Sequence, residues 1–225
     1  MTFLGKLIRT SPIHARFIPF AIIVGLIFFQ ESFGPVGRYW MYLIRMGVGA
    51  WCILEMRSLV PEMRWALSWE AVAAGVTVCA MWVAIDPYYP KIEFLFKASE
   101  PWNPFKQFGD GSVMAWFFVA VRTLGSTFII PPIEEVFYRS FLYRYFVRLD
   151  FENMPFNQLH WLSLIVTSLL FGFEHYQWLA GLLCGLIYQA VVLRKNRLGD
   201  AITAHAITNF LLSVWIVLKN DWKFW

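Results

Sequence analysis

Apolar residues run continuously along most of the chain, and prolines, glycines and small charged clusters interrupt them at intervals. The interruptions mark off eight apolar segments, at about 17–33, 39–60, 68–85, 112–130, 132–149, 160–176, 178–194 and 200–218. Continuous runs do not fit a transmembrane β-barrel, whose strands alternate. Segments near the ~20 residues a helix needs to cross a bilayer predict membrane-spanning helices. The pattern predicts an all-α, polytopic transmembrane bundle of about eight helices with a polar cavity inside, organised as one integral membrane domain over 1–225. The fifth and sixth segments are short or broken by charge and are expected inside the bundle. Pro131-Pro132 is expected to end the fourth helix, because proline lacks a donor and restricts the residue before it. The next helix then starts at the prolines, with Glu134 and Glu135 in a first turn that favours negative charge. Residues 86–111 form a long loop whose aromatics suit the headgroup level, as an interfacial segment or a cap over a cavity.

Composition agrees with this picture and narrows the partners. The 225 residues are 59% hydrophobic and 15% charged, against about 45–50% and 25% in soluble domains. A soluble fold of this size cannot hide so much apolar surface, so the expected surroundings are membrane lipids. The net charge of +4 is scattered. Its densest run, Arg194-Lys195-Asn196-Arg197, reads as a basic clamp at a helix end, and nucleic acid is excluded as a partner. Cys52, Cys79 and Cys184 lie inside apolar runs and read as small hydrophobes, not as disulfide or metal ligands. Gly181 and Gly185 form a GxxxG pattern suited to close helix packing. The first apolar run has a basic flank but no small-residue cleavage site, and reads as a retained helix. Basic residues on the two sides of the bundle are nearly balanced. Lys6, Arg9 and Arg16, ahead of the first helix, place the N-terminus inside.

Charge within the apolar segments points to chemistry. Arg45, Glu55, Arg122, Glu134, Glu135 and Arg139 would cost ~18 kcal/mol facing lipid at ~3 kcal/mol each. Net protein stability is only ~5–15 kcal/mol, so these groups must turn inward. Arg45 and Glu55 are read as packing or structural ion-pair residues. Glu135 and Arg139 are four apart and form a favourable helix pair. Glu134 is turned about 100° from Glu135 and can face elsewhere; a carboxylate in such a site suits a general base. Phe171 and His175 share a helix face, as do His205 and Asn209. His14 and His160 sit near helix ends and carry no such pattern.

In order along the chain stand E-E-x-x-x-R at Glu134–Arg139, F-x-x-x-H at Phe171–His175 and H-x-x-x-N at His205–Asn209. With their surroundings SLLFGFEH and AHAITNF, these resemble the CPBP family of CAAX prenyl endopeptidases and bacteriocin-processing proteins, also called the Abi family. The resemblance covers about 112–218, the expected catalytic core. The short chain is also similar to the exosortase-associated CAAX-protease-related type. The resemblance implies an intramembrane endopeptidase of a bacterial inner membrane, cutting near the C-terminus of a membrane-associated peptide or protein that is prenylated or carries a sorting signal. It implies that Glu134 and His175 activate water, that His205 and Asn209 form the oxyanion hole, and that Glu135, Arg139 and Phe171 support them. Ser140, where the family often has Gly, and the extra acid Glu174 depart from the pattern.

Other readings share these residues. No cofactor is expected, but Glu134, His175 and His205 also make a His₂Glu set of the kind found at catalytic zinc. A non-proteolytic immunity or sorting-assembly protein of the same fold keeps the bundle without the reaction. A transporter or channel is disfavoured by the lack of an internal repeat.

Overall fold

The computed structural model describes residues 2–92 and 101–225. Part of the expected loop over 86–111, including Lys97, lies outside these residues. The principal helices are α1 (Pro12–Gln30), α2 (Gly34–Met56), α3 (Trp69–Ile85), α4 (Val113–Phe128), α5 (Ile130–Glu135), α6 (Trp161–Phe173), α7 (Trp178–Lys195) and α8 (Gly199–Lys219). Two short helices, Phe3–Ile8 and Pro104–Phe108, stand beside them. No strand occurs among the described residues. Five stretches are long and apolar enough to cross a membrane: Pro12–Gln30, Trp69–Tyr88, Val113–Tyr145, Trp178–Lys195 and Gly199–Lys219. Large apolar side chains such as Phe28, Phe29, Val113, Leu124, Leu162 and Leu218 are exposed. That much apolar surface is stable only against lipid, and the chain is an integral membrane protein built as a polytopic helix bundle.

The prolines act differently from the sequence expectation. Val113–Tyr145 is one near-continuous rod, and the step between α4 and α5 is the single residue Ile129, still right-handed at φ −101°, ψ −46°. Glu134 and Glu135 therefore lie at the end of α5, not in a first turn. The rod runs on through a π-helical turn, Val136–Leu142, and a last turn, Tyr143–Tyr145. Single π turns of this kind mark functional stretches in many helices. This fifth segment is mostly buried as far as Arg144, as expected, but Phe146 and Leu149 at its end are exposed. The sixth is not. One face of α6 carries Ser163, Thr167, Ser168 and Phe171 into the bundle, while Trp161, Leu162 and Ile165 are exposed. Thirteen apolar residues without a charge need no shelter from lipid, short as they are.

Close helix contacts fix the frame around the polar interior. A Cβ at Gly181 or Gly185 would stand 3.1 Å from the backbone of Gly172 or Ser168 on α6, so the GxxxG pattern does bring two helices together. Gly75 lets α3 lie against Ala204 and Ile207 of α8. Ser68 caps α3 by accepting from the Ala71 amide, and His160 caps α6 by accepting from the Ser163 amide. Asn196 and Asn220 end α7 and α8 in the left-handed region, at φ 51° and 55°.

Two charge assignments change. Glu55 does form an ion pair, but with Arg9 at 2.9 Å, while Arg45 turns into a cavity. Arg16 lies inside α1, 2% exposed, bound to Glu62 at 2.7 Å. It belongs to the core and carries no weight as a flanking positive charge.

Candidate active site

Burial of both neighbouring faces of α5 leaves Glu134 one direction in which to point. Its side chain is 12% exposed and lines a cavity of about 250 Å³ with Arg45, Arg122, Glu174, His175 and Asn209. Its Oε2 atom is buried and has no hydrogen-bond partner. The nearest cation-capable atom, His205 Nε2, is 3.9 Å away, beyond hydrogen-bond range. Buried polar atoms are nearly always satisfied in folded proteins, and this oxygen is an exception.

Glu135, one residue on, is fully buried and faces the other way. Its Oε1 accepts from His205 Nδ1 at 2.9 Å, and its Oε2 lies 3.2 Å from Arg139 Nε. A carboxylate only accepts, so Nδ1 carries the proton and His205 presents Nε2 toward Glu134. Tyr188 stacks on the His205 ring at 5.2 Å. Phe171 is wedged among the group, 4.9 Å from the His175 ring and 4.3 Å below the Arg139 guanidinium. The i,i+4 pairing of Glu135 with Arg139 is present as expected, and it also orients His205.

His175 follows α6 in the connection to α7. Its Nδ1 donates to the Phe171 carbonyl at 2.8 Å, one turn back, which leaves Nε2 as the acceptor on a neutral ring. Trp82 of α3 meets the ring edge-on at 5.4 Å. Asn209, one turn along α8 from His205, donates through Nδ2 to the Ser126 carbonyl at 2.8 Å. Asn209 also lines the cavity, and its Nδ2 carries a second hydrogen. The cavity wall thus holds Glu134, His175 and Asn209, whereas His205 sits behind Glu134, 4% exposed. Among the described residues no group of three His, Cys, Asp or Glu side chains is placed to hold a metal ion. Glu134, His175 and His205 are neighbours without being gathered about one point.

Three cavity residues lay outside the expected set. Glu174, noted only as a departure, accepts from the Tyr138 hydroxyl at 2.7 Å. Arg45 and Arg122 enter from α2 and α4, and both guanidinium groups lie over the Tyr42 ring, at 4.8 and 4.9 Å. Their signal in the sequence was plain, an arginine in an apolar run, but nothing there placed them beside Glu134.

Residues 114–211 match the family model described as type II CAAX prenyl endopeptidase, Rce1-like. The matched stretch contains Glu134, Glu135, Arg139, Phe171, His175, His205 and Asn209. Neither a curated protein nor a solved structure matches the chain significantly. Three ordered motifs thus lie on helices that meet around one cavity, and the stretch that carries them, residues 114–211, is similar to the Rce1-like type II CAAX prenyl endopeptidases, which supports the CAAX prenyl endopeptidase and bacteriocin-processing family.

Proposed function

We propose that this CAAX-type intramembrane endopeptidase is of the glutamate type, with Glu134 and His175 activating a water and His205 and Asn209 receiving the oxyanion. The observation that carries the reading is the partnerless Glu134 Oε2, buried in the wall of a cavity it shares with His175 and Asn209. A water held between Glu134 and His175 Nε2 loses a proton to the carboxylate as its oxygen bonds to the scissile carbonyl carbon. The negative charge moves to the carbonyl oxygen, where Asn209 Nδ2–H donates to it together with His205 as an imidazolium, its Nδ1–H on Glu135 and its Nε2–H on the oxygen; one such donor is worth roughly 2.7–4 kcal/mol in measured cases. The carbon–nitrogen bond then breaks, and the proton held on Glu134 passes to the leaving amine. Glu135 keeps His205 in register through Nδ1, and Arg139 and Phe171 hold Glu135 and the rings in place. The substrate proposed is a membrane-associated peptide or protein cut near its C-terminus, in a bacterial inner membrane crossed several times.

The test is cleavage of a tagged membrane-tethered reporter. Glu134→Gln and His175→Ala should each lower the rate by about 10²–10⁴-fold, the usual contribution of a positioned acid–base group. Cleavage equal to wild type in either variant removes that residue from the mechanism. Activity abolished by a chelator and restored by zinc overturns the metal-free route.

A further inference from the structure

Contacts between the helices fix the direction in which each one runs. Phe20 of α1 stacks on Phe137 and Arg16 reaches Ser140, so α1 is antiparallel to the rod Val113–Tyr145. Tyr42 of α2 touches Arg122 and Gly49 lies against Ile129, so α2 runs with the rod. Tyr138 bonds Glu174 and Tyr143 bonds His160, which sets α6 against it. Gly172 lies by Gly181 and Ser168 by Gly185, which turns α7 back again. On α8, Asn209 meets Ser126 and His205 meets Glu135, antiparallel to the rod. Thr203 and Thr208 bond the carbonyls of Ala66 and Gly75, so α3 is parallel to α8. The bundle therefore has two ends. One gathers the residues before α1 with the connections 57–68, 146–160 and 196–198. The other gathers 31–33, 86–112, 174–177 and 220–225.

The unbroken rod changes the charge balance between these ends. With a break at Pro131-Pro132, the basic residues from Arg144 to Arg197 fall on the side away from the N-terminus; with one rod, they join it. Residues 1–16, 57–68, 144–160 and 194–198 carry ten Lys and Arg, whereas 31–38, 86–112, 174–177 and 219–225 carry six. Without the buried Arg16, Arg144 and Arg38, eight stand against five. Lysine and arginine at helix ends gather on the cytoplasmic side, so the N-terminal end is the cytoplasmic one. The cavity belongs to the other end. Its lining starts at Ile23 on α1 and Asn209 on α8, and it is bounded by His175 in the 174–177 connection and by Phe224 and Trp225. Further along the rod from Glu134 toward the cytoplasmic end, Arg16, Glu62 and Arg144 close around Ser140 and bind one another.

We propose that the candidate site opens away from the cytoplasm, and that its substrate is a peptide segment already carried across the membrane. The reaction that supplies this substrate is then a translocation, and a tail held on the cytoplasmic face is out of reach. The substrate half rests on the peptidase reading; the sidedness does not, and is tested apart from it. Lys219 and Lys6 are both exposed and lie at opposite ends. In spheroplasts that express the unaltered chain, a membrane-impermeant sulfonated succinimidyl ester acylates Lys219 at once and Lys6 only after permeabilisation, as read by peptide mass spectrometry. The reverse order, or equal acylation of the two before permeabilisation, overturns the assignment and needs no variant to fold. Ser213→Cys, in the cavity wall, reacts faster with a charged methanethiosulfonate in spheroplasts than in inverted vesicles; an equal or slower rate overturns it as well. Two tethered reporters then carry one cleavable C-terminal segment, displayed outside by the first and in the cytoplasm by the second. Only the outward one is cut, and Glu134→Gln cuts neither. Cutting of the cytoplasmic reporter that Glu134→Gln abolishes overturns the sidedness and keeps the peptidase. The expected labelling with neither reporter cut keeps the sidedness and loses the peptidase.

Discussion

Two groups of buried charge share the rod Val113–Tyr145, and they are built on opposite principles. Around Ser140, every charge has a partner. Arg16 reaches Glu62 with Nε at 2.9 Å and Nη2 at 2.7 Å, and its Nη1 donates to the Pro12 carbonyl at 3.0 Å. The Ser140 hydroxyl donates to Glu62 and accepts from Arg144 Nη2 at 2.8 Å. Arg144 then spends Nε on the Ser140 carbonyl at 2.6 Å and Nη1 on that of Met154 at 3.0 Å. Around Glu134, six residues earlier on the same rod, pairing is only partial: Glu135 meets His205 and Arg139, but other polar atoms are left over. Glu134 Oε2, Glu135 Oε2, Arg45 Nε and both Nη atoms of Arg139 are buried without hydrogen bonds. A satisfied knot of ions stabilises a fold; an unsatisfied one holds its capacity for something not yet bound. Both cost desolvation, and the difference in partners is what separates structure from site.

Removing Glu62 should break this contrast most violently. Glu62→Ala leaves Arg16 and Arg144 buried without their shared carboxylate, and losing one member of such a set costs about 3–5 kcal/mol, much of a typical margin of ~5–15 kcal/mol. Denaturant titration in micelles reads the loss, and cleavage per folded molecule should stay near wild type. Glu134→Gln should do the opposite: the melting transition stays or rises while the reaction fails. If Glu62→Ala unfolds no more easily than Glu134→Gln, the two clusters are energetically alike and the contrast is false.

A smaller perturbation can join the two properties. A Cβ at Gly75 would come within 2.7 Å of the Ala204 carbonyl oxygen and 2.7 Å of Ile207 Cβ, residues on either side of His205. Overpacking of that kind costs roughly 1–3 kcal/mol. The helix carrying His205 must shift to relieve it, and the 2.9 Å bond to Glu135 lies on that helix. Gly75→Ala should lower the melting temperature and the cleavage rate together. A variant that loses stability with cleavage per folded molecule intact would show that His205 tolerates displacement.

The helices were legible in the sequence because continuous apolar runs have few alternatives to spanning a bilayer. The inward turn of the charges was legible too, from the cost of setting Arg122 or Glu134 against lipid. What periodicity could not give was pairing across the bundle. Arg16 looks like a flanking charge until Glu62, in a turn 46 residues away, is seen to reach it. Pro131-Pro132 looks like a break because local rules for proline say so; packing on both faces carries the rod through with a step at Ile129 alone. The sheltering of α6 was misjudged for a related reason, since length alone says nothing about which face a helix hides. Among the site residues, the i,i+4 pair Glu135–Arg139 was readable from spacing. The placing of Glu135 against His205 was not, because 70 residues separate them.

The mildest test acts within the satisfied cluster, through its hydroxyl. Burial alone would raise the Glu62 carboxyl, but Arg16 beside it and the hydrogen bond from Ser140 hold it below the ordinary carboxylate value. A group depressed on folding contributes stability that is present above its unfolded pKa and lost as the pH falls through its folded one. Glu62 should therefore support the fold at neutral pH and release it in acid. Ser140→Ala deletes one of the depressing interactions without altering the charge count. It should cost about 0.5–1.5 kcal/mol at neutral pH, the range for one hydrogen bond. It should also move the acid loss of stability to higher pH, because the carboxyl then titrates closer to its unfolded value. Denaturant midpoints between neutral pH and pH 3 measure both effects. If Ser140→Ala and wild type lose stability over the same acid range, the hydroxyl is packing and not part of the ion cluster, and the departure from glycine at this position has another cause.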